Sequence, residues 1–135
     1  KQFFTGIMST ALAEDELLVE ARLPLLANDA RFGFNEFSRR AGDFAMAAAL
    51  ATYRLQAGKI ADARVGLGGA EPSPRRIPEA ETALNGQVPG DTAFRAAAEG
   101  AATTIDPLED HQTTAEYRRD LVRAVVRRAL ESSTS

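Results

Sequence analysis

A four-residue link, QAGK (56–59), most constrains how this chain can fold. The segment after it, IADARVGLGG (60–69), alternates from residue to residue, which predicts a strand with Ile60 and Arg64 on the same face. The segment before it, FAMAAALATYRLQ (44–56), is ambiguous on its own because alanine favours helices. Because a short glycine-containing link favours a hairpin between extended segments, we predict that 44–56 pairs with 60–69. Small side chains in the first strand would let a helix or a flat ligand approach closely.

Two further segments in the first half of the chain carry strand patterns. DELLVEARLP (15–24) ends at a proline and has apolar residues at alternate positions, so one face of a strand would be apolar. RFGFNEFSRR (31–40) also alternates, and its phenylalanines favour a strand over a helix. The alternate apolar positions of the first segment are Leu17, Val19, Ala21 and Leu23.

The second half of the chain carries three helix patterns. Asn85 and Gly86 resemble a helix C-terminus, and Asp91 is positioned to cap the next helix. Thr113 and Glu116 have the spacing of a capping box before an apolar stripe, which makes the last helix the clearest element. The predicted helices are EAETALNG (79–86), DTAFRAAAEGAATT (91–104) and TTAEYRRDLVRAVVRRAL (113–130), with an acidic connector at 106–112.

The order of these elements predicts the fold class. Strands followed by helices are typical of an α+β domain, here a small antiparallel β-sheet of three to four strands backed by a three-helix bundle. A chain of 135 residues has the length of one ordinary domain. We therefore predict a single domain over 1–135, with strands in 15–69 and helices in 77–131.

Composition excludes several functional classes. A net charge of −3 argues against nucleic acid or an anionic membrane as the main partner, since both favour a basic surface. The absence of cysteine excludes disulfides and iron–sulfur ligation, and a single histidine, His111, argues against a histidine-built metal site. No apolar run approaches the roughly 20 residues of a membrane span. The start, KQFFTGIMST, lacks a signal-peptide pattern and an initiator methionine, so we expect a piece of a longer protein.

The charged and glycine-rich features each have a structural and a functional interpretation. Arg39, Arg40 and Asp43 fit either a catalytic or anion-binding cluster or a turn with a surface ion pair, and such pairs are common. GLGGAEPSP (66–74) lacks the residues of a P-loop and the spacing of a dinucleotide fingerprint, which favours a tight strand exit over a phosphate cradle. The arginines within 118–128 are most simply the solvated face of a helix. On residue chemistry alone, the chain is not a self-contained enzyme.

Four segments, in order and at matching spacings, resemble one known family. They are FFTGIMSTALAEDELLVEARLP, EFSRRAGDFAMAAALATYRL, ARVGLGGAEPSPRRIPEAETALNG and AEYRRDLVRAVVRRAL, which together span Phe3 to about Leu130. They resemble the C-terminal domain of the FAD-binding (medium) subunit of molybdenum hydroxylases, the carbon monoxide dehydrogenase and xanthine dehydrogenase family.

The resemblance implies a function in electron transfer. It implies a domain that covers FAD, while two preceding subdomains, absent from this chain, hold most of the cofactor, so we expect the chain alone to bind flavin poorly. A large subunit with the molybdenum cofactor would oxidise substrate, and iron–sulfur clusters in a small subunit would pass electrons to the flavin. The expected setting is a multi-subunit cytoplasmic oxidoreductase, in which the isolated fragment is not active. The alternative is a non-catalytic α+β protein-interaction domain.

The resemblance also implies which residues face the cofactor. Phe34 would approach the isoalloxazine ring, although a phenylalanine lacks the hydroxyl with which a tyrosine could bond it. Arg39, Arg40 and Asp43 would lie at the rim of the flavin cleft, and Arg75 would add a basic contact. The competing interpretation places Phe34 in the core and the arginines in solvent.

Overall fold

The computed structural model describes residues 3–111 and 113–134. One sheet is a two-stranded hairpin, and the other is an antiparallel sheet of four strands that pair in chain order. Three helices follow, so the predicted α+β class with a small antiparallel sheet and three helices is confirmed. The elements are β1 (Phe4–Gly6), β2 (Ser9–Thr10), β3 (Arg31–Phe37), β4 (Ala47–Gln56), β5 (Lys59–Gly68), β6 (Arg75–Arg76), α1 (Pro78–Leu84), α2 (Asp91–Thr104) and α3 (Ala115–Ser132).

The central hairpin of β4 and β5 forms as predicted. Gln56 pairs with Lys59, which leaves Ala57 and Gly58 as a two-residue loop. Both loop residues have positive φ, 50° and 75°, as the tightest hairpin turns require. The small-residue segment is therefore a strand despite its helix propensity, because pairing and burial outweigh a weak local preference.

A β-bulge changes which side of β5 faces the core. Tyr53 of β4 lies opposite two residues of β5, Asp62 and Ala63, and Asp62 has a φ of 54°. The extra residue reverses the alternation, so Ile60 is buried together with Ala63 while Arg64 is exposed. The prediction that Ile60 and Arg64 share a face was wrong, because it assumed an uninterrupted period of two.

The helices cover one face of the larger sheet at close range. Ala47, Ala49 and Ala51 of β4 are buried in the core beneath this helical layer. On β3, a Cβ atom added to Gly33 would overlap the carbonyl oxygen of Ala129 in α3. Small residues thus let the helix backbone approach the sheet, as predicted for the small side chains of β4.

The segment of residues 16–27, here called the strap, corrects one strand prediction. It contains most of the predicted strand at 15–24, yet it runs outside both sheets without regular structure, and every residue from 12 to 29 is exposed. Alternation shows which faces a strand would have, but a strand also needs a pairing partner. The hairpin at 4–10 and β6 were not predicted, so strands also lie outside the range 15–69.

Three helices form near the predicted places, although α3 begins two residues later than predicted and ends at Ser132, beyond the predicted limit of 131. Two of the predicted caps were wrong. Asp91 occupies the first helical position of α2 and its carboxylate accepts hydrogen bonds from Arg95 instead of capping the helix. At α3 the hydroxyl of Thr114 accepts from the backbone N–H of Tyr117 at 3.2 Å, whereas Thr113 is buried before the helix. Within residues 3–111 and 113–134, none of the helices has the length and apolar character to cross a membrane.

Candidate functional site

The face of the larger sheet opposite the helices carries a shallow groove of about 410 Å³. Phe34, Leu50, Gly66 and Arg76 come from four successive strands and lie in one register row across the groove. The row places an aromatic ring at one side, a basic residue at the other and a glycine in the floor between them.

Phe34 points away from the core. Its side chain is 55% exposed, as is that of Leu50 at 50%, and both line the groove. The interpretation of Phe34 as a core residue was therefore wrong. An exposed aromatic ring beside a flat floor offers a stacking surface for a planar ligand.

The floor of the groove is flat because β5 contributes glycines to it. A Cβ atom added to Gly66 would meet only the carbonyl oxygen of Leu50, at 3.8 Å, and one added to Gly68 would meet only Pro74, at 4.0 Å. The space that side chains would occupy at these two positions is therefore open to a ligand.

Arg75 lines the groove, but its guanidinium is engaged elsewhere. Its Nε donates to Glu71 at 2.7 Å, and its Nη2 donates at 3.3 Å to the carbonyl oxygen of Thr104 at the end of α2. The hydrogen bond to Glu71 raises the pKa of the Arg75 guanidinium above its ordinary value. Arg75 thus ties the loop before β6 to the helical layer.

Arg76 is the basic residue in register with Phe34, and the sequence reasoning missed it. Its guanidinium makes a two-pronged pair with Glu81, at 2.8 and 2.6 Å, and Glu81 also accepts from the backbone N–H of Val65. The Arg-Arg dipeptide was visible in the sequence, but the register of a two-residue strand was not. Arg76 is 57% exposed and forms the basic wall of the groove.

The loop at 38–46 carries the other predicted site residues. Arg39, Arg40 and Asp43 are exposed and do not line the groove. A backbone hydrogen bond from Asp43 to Arg40 forms a turn, and the loop joins β3 to β4. The structure therefore brings Phe34 and Arg75 to one groove and places the other three residues on a neighbouring loop.

Arg118 of α3 binds two loops at one end of the larger sheet, from the face that the helices cover. It is 5% exposed, and its Nη1 donates to the carbonyl oxygens of Met46 at 3.1 Å and Gly69 at 2.9 Å. Its Nη2 donates to the carboxylate of Asp110 at 3.1 Å. The prediction that the arginines of 118–128 form only a solvated face was therefore wrong for Arg118. A buried arginine bonded to two loop carbonyls holds those loops in a fixed arrangement.

Comparison with known proteins assigns the chain to a family. The family model of the CO dehydrogenase flavoprotein C-terminal domain matches residues 32–133. The nicotine 6-hydroxylase medium subunit of Paenarthrobacter nicotinovorans is 34% identical over 94% of this chain and 44% of its own length. The carbon monoxide dehydrogenase medium chain of Hydrogenophaga pseudoflava is 29% identical over 97% of this chain and 46% of its own.

Solved structures agree with this assignment. A carbon monoxide dehydrogenase from Hydrogenophaga pseudoflava superposes with a TM-score of 0.90 at 32% identity, over 98% of this chain and 46% of that one. Quinoline 2-oxidoreductase from Pseudomonas putida 86 gives the same TM-score at 30% identity, with the same coverage. The chain thus spans less than half the length of the relatives it matches. Because the family model matches most of the chain, this protein belongs to the CO dehydrogenase flavoprotein C-terminal domain family.

Proposed function

We propose that this chain is the C-terminal domain of the FAD-containing medium subunit of a molybdenum hydroxylase, and that its groove closes over the flavin. The observation that carries the proposal is the row of Phe34, Leu50 and Gly66, which makes a flat apolar surface on a domain of this family. FAD held there would relay electrons between the other redox centres and an acceptor.

The residues of the groove suit the ring of a flavin better than its phosphates. The open space above Gly66 and Gly68 and the exposed ring of Phe34 fit a planar, largely apolar group. Arg75 and Arg76 are both neutralised by carboxylates, so they offer weak attraction to a pyrophosphate. We infer that the phosphates are bound by a part of the subunit outside this chain, and that the isolated 135 residues bind FAD weakly, which calorimetry can measure.

The chain's own residues have distinct tasks under this proposal. Phe34 packs against the ring and excludes water from it, while Arg118 holds the carbonyls of Met46 and Gly69 in the loops at one end of the larger sheet. Arg39, Arg40 and Asp43 form the rim of the same cleft in the complete subunit. Arg75 acts by holding the wall of the groove to α2.

The remaining assignments concern the whole assembly. We infer that the subunit works in the cytoplasm with an iron–sulfur small subunit and a molybdenum-containing large subunit. Two lines of evidence support a multi-subunit assembly: the names of the relatives, which are medium subunits or chains of a hydroxylase and of a dehydrogenase, and coverage of under half their length.

A matched pair of phenylalanine variants tests the proposal. Phe32 and Phe34 lie on the same strand and the same face, and are 63% and 55% exposed, but only Phe34 lines the groove. In the flavoprotein subunit that contains this chain, Phe34→Ala should lower the flavin content or shift the flavin reduction potential, and Phe32→Ala should leave both unchanged. Equal behaviour of the two variants would favour the alternative, a non-catalytic interaction domain.

A further inference from the structure

Glu81 of α1 joins the basic wall of the groove to the edge of the sheet. Its side chain is only 12% exposed. One carboxylate oxygen accepts from the backbone N–H of Val65 at 3.1 Å and from the Nε of Arg76 at 2.8 Å, and the other accepts from the Nη2 of Arg76 at 2.6 Å. Because β6 ends at Arg76, this carboxylate satisfies an amide of β5 that lies beyond the short strand. The backbone of β5 thus fixes Glu81, and Glu81 in turn fixes Arg76.

Arg76 is held on one side only. A guanidinium has five N–H donors, and the pair with Glu81 uses two of them. Within residues 3–111 and 113–134, the other three donors make no hydrogen bond to protein, and the exposed side chain lines the groove. Because its charge is balanced but its donors are available, Arg76 suits a neutral carbonyl group in the groove better than a phosphate.

The register row that ends at Arg76 matches the polarity of a flavin ring along its length. Phe34 and Leu50, toward the other end of the row, are exposed and apolar. Three inter-strand spacings separate Phe34 from Arg76, roughly 14 Å, which is long enough for three fused rings. A flavin ring has an apolar dimethylbenzene end and a pyrimidine end with two carbonyl oxygens, and carbonyl oxygens removed from water need donors. This polarity favours the pyrimidine end beside Arg76.

We propose that Arg76 donates a hydrogen bond to a pyrimidine carbonyl oxygen of the FAD, and that Glu81 is a positioning residue whose charge also sets the flavin reduction potential. This rests on the function proposed above. Reduction adds electron density to the pyrimidine end, so a charge near that end shifts the potential. An uncompensated guanidinium raises the potential, and the carboxylate bonded to it offsets part of that effect. The charge balance of one ion pair therefore tunes the cofactor.

Two glutamine variants test this proposal by redox titration of the flavoprotein subunit that contains this chain. Glu81→Gln keeps an amide oxygen for the N–H of Val65 but leaves the guanidinium uncompensated, so the flavin potential should rise. Arg76→Gln leaves the carboxylate uncompensated, so the potential should fall. Each shift should correspond to at least a tenfold change in the equilibrium constant of two-electron reduction, about 30 mV. A purely structural pair would instead make both variants less stable without shifting the potential in opposite directions.

The pair of Glu99 and Arg123 is the matched control. It is also two-pronged, at 2.7 and 3.0 Å, but it joins α2 to α3 in the helical layer, away from the groove. Glu99→Gln and Arg123→Gln should leave the potential unchanged. Infrared difference spectra of the bound flavin give a second measurement. The pyrimidine carbonyl bands should move to higher frequency in Arg76→Gln, because a hydrogen bond to the carbonyl is lost, and should not move in Arg123→Gln.

The outcomes separate this proposal from the proposed function, because flavin content is measured on the same samples. Potentials that stay unchanged or shift in the same direction, with flavin bound, overturn the tuning proposal and leave the flavin function standing. Unchanged carbonyl bands in Arg76→Gln also overturn it. Loss of flavin from both variants, with the controls loaded, would show that the pair only supports the fold, which overturns it too. A parent subunit that binds no flavin contradicts the proposed function and this proposal together.

Discussion

Gly33 offers the sharpest test of how the sheet and α3 pack. A Cβ atom at this position would overlap the carbonyl oxygen of Ala129, and it would lie 2.6 Å from the Ser132 hydroxyl and 2.9 Å from the Ala129 carbonyl carbon. The Ser132 side chain can rotate away, but the helix backbone cannot. Gly33→Ala must therefore push α3 off the sheet, which separates the buried alanines of β4 from their neighbours.

The cost of this displacement can be bounded. Overpacking a well-packed core costs about 1–3 kcal/mol, and the obstruction by main chain puts Gly33→Ala near the upper end. Replacing glycine by alanine also lowers the conformational entropy of the unfolded chain, which stabilises the folded protein by about 0.4–1 kcal/mol. We therefore expect a net loss of roughly 1–2.5 kcal/mol in the free energy of unfolding, measured by urea denaturation with an unchanged m-value.

Gly66 is the matched control, because it lies in the same sheet but faces the groove. A Cβ atom there meets only the Leu50 carbonyl oxygen, at 3.8 Å, which is ordinary contact. Gly66→Ala should leave the free energy of unfolding unchanged or raise it by up to about 1 kcal/mol. Equal destabilisation by the two substitutions would refute the argument that α3 rests on a side-chain-free position.

Three other perturbations have expected outcomes. Arg118→Met removes the donors to Met46 and Gly69 and should cost about 2–3 kcal/mol of unfolding free energy. Arg119→Met, at the neighbouring and partly exposed residue of α3, should change the unfolding free energy by less than about 0.5 kcal/mol. Similar losses from both substitutions would show that Arg118 does not hold the loops. The hydrogen bond from Arg123 lowers the pKa of the Glu99 carboxyl, so the stabilisation from this pair is present above the ordinary glutamate pKa and is lost as the pH falls through the lowered value. A double-mutant cycle of Glu99→Gln and Arg123→Gln should give a favourable coupling at neutral pH and none in strong acid, and a coupling that persists in acid would contradict the assignment. Ala57→Asn in the β4–β5 turn should raise the unfolding free energy by about 0.5 kcal/mol, because asparagine tolerates positive φ better than alanine, and a lowered thermal midpoint would count against the turn geometry.

Elements defined by local signals were predictable from the sequence. The β4–β5 hairpin follows from a short link between two extended segments. Helix α1 ends at Leu84, with Asn85 as its C-cap before a positive-φ Gly86, as its sequence indicates. Alternation also placed Phe34 and Gly33 on opposite faces of β3. The covering of one face by helices followed from the order of strands and helices along the chain.

Features that depend on distant partners were not predictable. Arg118 is buried because the carbonyls of Met46 and Gly69 converge on it, and neither is near it in sequence. Arg76 belongs to the groove because β6, only two residues long, pairs with Gly66 and Leu67 of β5. The bulge at Asp62 was not predicted either, since a single residue with positive φ does not show in the alternation of apolar and polar residues.

The contact between Gly33 and Ala129 also has a consequence for how the chain folds. The first strand of the larger sheet is covered by the last helix, so the core face of β3 and β4 stays open until nearly the whole chain is available, although α1 can already pack against β5. Contacts between residues so far apart in sequence slow folding, because the loop between them must close before they form. During synthesis the β4–β5 hairpin can form early, but the layer that protects its alanine face arrives last. Folding of this domain should therefore show a late, rate-limiting docking of α3, with the aggregation risk confined to the interval before it.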